Sequence, residues 1–200
     1  MTEQAPFSVL PEGGTVHAIT RWGQPVMHRM QEPVTQFDDD LRSLVADMVA
    51  TMYAADGVGL AACQIGVDRS VFVFDCTDDS EGVGTRVSGV VCNPAVYLRV
   101  GKERSLDESD EGCLSFPGAF VPCARPDYAE VHGQDLDGAE VRYAGGGLLA
   151  RCLQHETDHC QGTVFGDRVN RRAYKKLVKQ QEAAAADFPP DWPVERASSH

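Results

Sequence analysis

The sequence predicts an α+β fold in which small antiparallel sheets surround one buried central helix, with a further helix near the C-terminal end. Three observations carry this prediction. Residues 148–160, LLARCLQHETDHC, place apolar side chains at helical spacing along one arc. Short runs rich in Val and Phe, such as SVFVFD, are flanked by turn-forming residues, as strands are. The segment YAEVHGQDLDGAEVRYA sets an Asp137-Gly138 pair between two strand-like runs, the signal of a tight hairpin.

The elements follow in order. The first 36 residues are rich in Pro, Gly and His and read as an irregular arm that wraps a core. Asp38 to Asp40 then offer N-caps, Leu41, Leu44, Val45, Met48, Met52 and Tyr53 recur with helical period, and Gly57 stops that helix. Ser70 to Asp75 reads as a short strand, TDDSEGVGTR as a polar loop, and VSGVVCNPAVYLRV as a strand broken near Pro94. After the hairpin, the helix beginning at Leu148 ends at Gly162, and a last helix is expected from about Asn170 to Ala186. Residues 1–186 are expected to form a single domain, with a disordered, Pro-rich tail over 187–200.

Composition excludes several classes. A content of 42% hydrophobic and 24% charged residues is that of an ordinary globular chain. No apolar run approaches the roughly 18 residues that span a bilayer. The opening MTEQAPFSVLPEGG has neither a basic nor an apolar region of the kind a signal peptide needs. Seven cysteines without a CxxC pair do not form a disulfide framework, so a reduced, cytoplasmic setting is expected, in which single cysteines can be ligands. A net charge of −12 argues against a general nucleic-acid binder.

The helix at 148–160 poses the functional question. Each residue advances by roughly 100°, which puts His155, Glu156 and His159 on one arc with Leu148, Leu149, Cys152, Leu153 and Cys160. Arg151, Gln154, Thr157 and Asp158 fall on the other side. A buried carboxylate is costly unless paired or used. Two histidines at i and i+4 can chelate one metal and leave the intervening glutamate free as a general base.

A catalytic metal wants a third protein ligand and an open position. Phe165 stands where the extended HExxHxxGxxH pattern needs a histidine, so that class is excluded. Glu182 is the remaining downstream carboxylate before the tail, within a lysine-rich helix. Cys113, in DEGCLSFPG, offers a soft thiolate instead, although a cysteine is more often a small core residue. A further stretch, DGVGLAACQIG, supplies glycines for close backbone approach and Gln64 as an amide donor; a plain helix-to-strand loop would explain its glycines alone.

Taken together, Gly57-Val-Gly-Leu-Ala-Ala-Cys-Gln64, Glu111-Gly-Cys-Leu-Ser115 and Gln154-His-Glu-Thr-Asp-His159 resemble, in order and spacing, the three motifs of the peptide deformylase family. The resemblance spans about residues 5 to 180. It implies Cys113, His155 and His159 as metal ligands, Glu156 as the acid/base, and Gln64 with the Leu114 backbone N–H as the oxyanion site. It implies hydrolysis of the formyl group from the N-terminal formyl-methionine of new polypeptides, with release of formate. Thr157 and Cys160 stand where aliphatic residues are common in the family, and Thr157 is expected to face away from the buried arc.

A narrow site walled by Val58, Gly59 and Leu114 would exclude larger acyl groups, and an apolar methionine pocket is expected to include Cys152. One thiolate and two neutral imidazoles accept Fe2+, Zn2+, Ni2+ or Co2+, and the resemblance implies Fe2+ with oxygen sensitivity. Arg171, Arg172, Lys175, Lys176 and Lys179 form a local basic patch that could touch ribosomal RNA near emerging chains; the alternative is a solvated helix face. Two competing readings are a zinc peptidase using His155, His159 and Glu182, and a structural metal site in a binding module. The latter would need a fourth protein ligand.

Overall fold

The computed structural model describes residues 10–79, 82 and 84–194. Helix α1 spans Asp39–Ala54, and its first turn is closed by the Asp38 carboxylate, which accepts the Leu41 N–H at 3.1 Å. Its buried face carries Leu41, Val45, Met48, Val49 and Met52, while Tyr53 is exposed and its hydroxyl bonds Asp75. The chain leaves α1 through Asp56, at φ +56°, and the Gly57 N–H returns to the Met52 carbonyl at 2.9 Å.

The main sheet has five antiparallel strands in the order β1-β2-β3-β8-β9. These are β1 (Gly59–Ala61), β2 (Val71–Asp78), β3 (Thr85–Leu98), β8 (Tyr128–Gln134) and β9 (Glu140–Gly146). Two small pairs lie between them in the chain. β4 (Leu106–Asp107) joins β7 (Arg125–Pro126), and β5 (Asp110–Gly112) joins β6 (Phe120–Pro122). β2 is longer than expected. It continues through Thr77 and Asp78, opposite Arg86 and Thr85, so both ends of the expected polar loop are strand.

Alternation along β2 sorts the core. Phe72, Phe74 and Cys76 face helix α2 (Gly147–Cys160), whereas Val71 and Val73 face α1. Each helix thus covers one face of the sheet. The expected break in β3 is a bulge. Register with β8 shifts between Cys92 and Ala95, and Asn93 sits at φ +54° just before Pro94. The Asn93 side chain accepts the Val34 N–H at 2.8 Å and donates to the Val34 carbonyl at 2.9 Å, which fastens the N-terminal arm to the sheet.

Two expectations need correction. α2 is not amphipathic in place: Arg151, Gln154, Thr157 and Asp158 are buried along with the apolar arc, because the β4–β7 and β5–β6 pairs cover that side. Leu148, placed on the buried arc, is instead exposed. The segment from 187 is also not a loose tail where it is described. Helix α3 (Arg171–Ala183) is followed by a single 3-10 turn at Ala185–Asp187, and Trp192 is only 5% exposed in the core beside α1. Residues 195–200 lie outside the described residues. An aromatic ring that can bury its surface outweighs the Pro-rich composition that suggested disorder.

Asn93→Ala should destabilise the fold by about 2–4 kcal/mol, from lost side-chain hydrogen bonds and a left-handed backbone on a residue with Cβ. Asn93→Gly removes the same bonds without the backbone penalty, so urea unfolding should place it about 1 kcal/mol above the alanine variant. Equal stability of all three proteins would refute this account of the bulge.

Candidate metal centre

α2 delivers His155 and His159 from successive turns, and Cys113 enters from the turn that follows β5. The three donor atoms lie within 4.8 Å of one another, with His159 Nε2 3.2 Å from His155 Nε2 and 3.4 Å from Cys113 Sγ. Among the described residues this is the single group of three or more such side chains able to share an ion. Glu182 is exposed on α3 and is not one of them, which removes the third ligand of the zinc-peptidase reading.

A buried ion pair network sets the orientation of His155. Its Nδ1 lies 2.7 Å from Glu111 Oε1, and since an ionised carboxylate only accepts, Nδ1 carries the proton and Nε2 keeps its lone pair for the centre. Burial alone would raise the Glu111 carboxyl, but hydrogen bonds from Arg125 and His155 hold it well below the usual carboxylate range. Arg125 grips it through Nε at 2.9 Å and Nη2 at 2.6 Å, and Arg151 Nη1 adds a contact at 2.8 Å. Arg125 Nη1 also reaches Asp158 at 2.7 Å, and Arg168 closes on the far side of that carboxylate.

Glu156 differs. It is buried, yet its Oε2 has no hydrogen-bond partner among the described residues, and burial pushes its carboxyl up to about 7. A cation beside it would draw that value down. β1 approaches it closely: a Cβ on Gly59 would stand 2.6 Å from Glu156 Oε1 and 2.8 Å from Cys152 Sγ, so only glycine fits. Gln64 sits in a 3-10 turn, Ala62–Ile65, where its Oε1 accepts the Ala61 N–H at 2.9 Å. That bond fixes the amide so that Nε2 points to Ser115 Oγ at 3.3 Å and Cys113 Sγ at 3.6 Å.

A cavity of about 620 Å³ opens over the centre and is lined by Val58, Gly59, Gln64, Cys113, Leu114, Cys152, His155 and Glu156. His159 lies beneath it, fully buried. The candidate residues therefore meet in one place. Two imidazoles and a sulfur that converge within 4.8 Å, next to an unpartnered carboxylate, fit a divalent ion with an open position. The other thiols do not compete: burial pushes Cys63, Cys123 and Cys160 up, as for core residues. The role of Glu111 and its arginines was not read from the sequence. Glu111 stands within a quoted motif, but Arg125 comes from a distant strand with no local signal.

Comparison with known proteins agrees with this geometry. Residues 16–175 match the family described as Polypeptide deformylase. The chain is 51% identical to peptide deformylase 1 of Streptomyces avermitilis over 92% of its own length and 82% of that protein. It is 47% identical to the peptide deformylase of Mycolicibacterium vanbaalenii, over 78% and 84%. Among solved structures it resembles a peptide deformylase from Legionella pneumophila, with a TM-score of 0.74 and 32% identity over 86% of this chain and 96% of that one. The peptide deformylase of Synechococcus elongatus in complex with actinonin gives the same TM-score, 0.74, and 32% identity, over 89% and 95%.

Cys113→Ser should lose most of its metal after dialysis, because a hydroxyl is not ionised near neutral pH as a ligand must be. Cys63→Ser and Cys123→Ser should keep the wild-type content. Elemental analysis of the purified proteins checks this, and full metal occupancy in Cys113→Ser would remove that residue from the centre.

Proposed function

The chain belongs to the polypeptide deformylase family, and from that premise we propose how its own residues carry the reaction. It is a metal-dependent hydrolase that removes the N-formyl group from the formyl-methionine of newly made polypeptides and releases formate. The observation that carries the assignment of roles is the convergence of Cys113, His155 and His159 beside the unpartnered Glu156 carboxylate.

Cys113, His155 and His159 would hold the ion. When bound, such an ion acts as a Lewis acid that makes water a nucleophile near neutral pH. Glu156 accepts the proton of the attacking water and returns it to the leaving amine as the C–N bond breaks. Gln64 Nε2 and the Leu114 N–H donate to the formyl oxygen as it gains charge. Val58, Gly59 and Leu114 leave room for a hydrogen on the acyl carbon and little more, and Cys152 borders the space for the methionine side chain. The Glu111 pair network holds His155 in one tautomer throughout.

Ferrous iron is the ion we propose as resident, with Zn2+, Ni2+ and Co2+ compatible with the same donors. Its signature is activity that is lost in air and kept under anaerobic purification. Arg171, Arg172, Lys175, Lys176 and Lys179 are all exposed on α3, opposite the buried Leu177. On a chain of net charge −12 they form a local basic face, proposed to meet ribosomal RNA where substrates emerge. Reversal of all five to Glu should abolish cosedimentation with ribosomes while formyl-peptide hydrolysis continues; unchanged cosedimentation would end the idea. No helix among the described residues is long and apolar enough to cross a membrane.

Glu156→Gln should keep metal and fold but lose roughly 10²–10⁴-fold in kcat, since an amide cannot accept the proton. Gln64→Glu keeps the acceptor for the Ala61 N–H and removes the donor, so it should lose about 10²–10³-fold in kcat with little loss of thermal stability. Formate release from a formyl-Met peptide, measured anaerobically at known metal content, tests both. Wild-type turnover in either variant would overturn the role given to that residue.

A further inference from the structure

The segment after α3 supplies part of the cavity wall. Asp187, Phe188 and Trp192 line the same cavity as Gln64, Cys113 and Glu156, although the family match ends at residue 175 and no role above uses them. This segment is held in position by specific contacts. Arg21 Nη2 donates to the carbonyls of Phe188 at 3.0 Å and Pro189 at 2.9 Å, and the Ile19 N–H donates to the Trp192 carbonyl at 2.9 Å. The Arg21 guanidinium also lies 5.9 Å from the centroid of the Trp192 ring.

Phe188 stands between this anchor and the cavity. Its ring meets Trp192 edge-on, with centroids 5.0 Å apart, and Trp192 in turn is buried in the core. On another side the ring closes over Gly118, which sits at φ +73° and where a Cβ would strike Ala184 at 2.6 Å and Phe188 at 2.9 Å. Gly118 belongs to the loop that leads away from Cys113, whereas Cys152 packs on Gly59 of β1. Phe188 and the methionine-side residue thus belong to separate parts of the lining.

The cavity, about 620 Å³, is larger than one formyl-methionine requires. With the formyl carbon beside Glu156 and the methionine side chain at Cys152, the peptide must leave along the remaining wall. We propose that Phe188, backed by Trp192 and positioned by Arg21, is a specificity-determining surface that takes an apolar side chain from the substrate residue following the formyl-methionine. The proposal rests on the deformylase reading above.

The test is kcat/KM for two formyl peptides that differ only in their second residue, formyl-Met-Leu-Ser and formyl-Met-Gly-Ser. Burial of the leucine side chain against the ring should favour the first by roughly tenfold in wild type. In Phe188→Ala the ratio should fall to within about threefold of unity, and in Arg21→Gln it should fall part of the way. Phe188→Leu, which preserves an apolar wall, should retain most of the preference. Melting temperatures measured on the same preparations separate loss of the wall from loss of the fold. Absence of any preference in wild type would overturn the proposal, as would a folded Phe188→Ala that keeps the wild-type ratio. If Phe188→Ala does not fold, the same judgement falls on Arg21→Gln, whose unchanged ratio would overturn it. Failure of wild type to hydrolyse either peptide would instead refute the deformylase reading itself.

Discussion

The carboxylate of Glu111 is the interaction on which the site depends. It belongs to β5, and through Arg125, Arg151 and His155 it ties that strand to β7 and to α2. Removing a charge from water costs several kcal/mol, and that cost is recovered only where geometry is good and the remaining lone pairs are filled. Here both oxygens are engaged, by bidentate contact with Arg125 and by further donors from Arg151 and His155. Loss of one partner from such a cluster typically costs about 3–5 kcal/mol. The cluster therefore acts as a latch that also sets a tautomer, and the position of Cys113, two residues beyond Glu111, follows from it.

The same cluster explains how a helix can be buried on every side. α2 carries Arg151, Gln154 and Asp158 on the face opposite the arc of His155 and His159, and an isolated helix of that pattern would present them to water. Arg151 instead meets Glu111, Asp107 and the Cys123 carbonyl, Asp158 meets Arg125 and Arg168, and Gln154 meets the Pro126 carbonyl. Each of these three side chains has a partner outside the helix, and most of those partners lie 28 to 44 residues earlier in the chain. Periodicity within one segment carries no information about such partners. That is why the apolar arc was legible and the fate of its polar side was not.

Other features divide along the same line. The convergence of Cys113, Gln64, His155, Glu156 and His159 in one place was legible because each residue type is unusual in its local setting and the three motifs occur together. The Asp137-Gly138 hairpin and the α1 caps were legible because they are local: Gly138 has φ +77° and Asp38 caps its own helix. The two short strand pairs, only two or three residues to a strand, leave no periodic trace. The docking of Trp192 depends on Ile19 and Arg21, more than 150 residues earlier, a constraint that no window of sequence contains.

Glu111 and Glu156 together show how environment can assign different work to the same side chain. Both are buried, and both lie beside His155, one by contact and one by chain position. Glu111 faces two guanidinium groups and is held ionised, which makes it a fixed acceptor and useless as a base. Glu156 has no guanidinium partner among the described residues, and burial raises its carboxyl to about 7, a value that a cation held by Cys113, His155 and His159 would draw down. As the proposed base, Glu156 keeps lone pairs open to accept a proton and return it. An arginine bound to Glu156 as Arg125 binds Glu111 would instead occupy the lone pairs that the proposed base needs. The close approach of Gly59 fits the same arrangement, since a Cβ there would strike the Glu156 carboxylate itself. The folding cost of an unpartnered carboxylate is thus concentrated at the one position where the proposed reaction uses it.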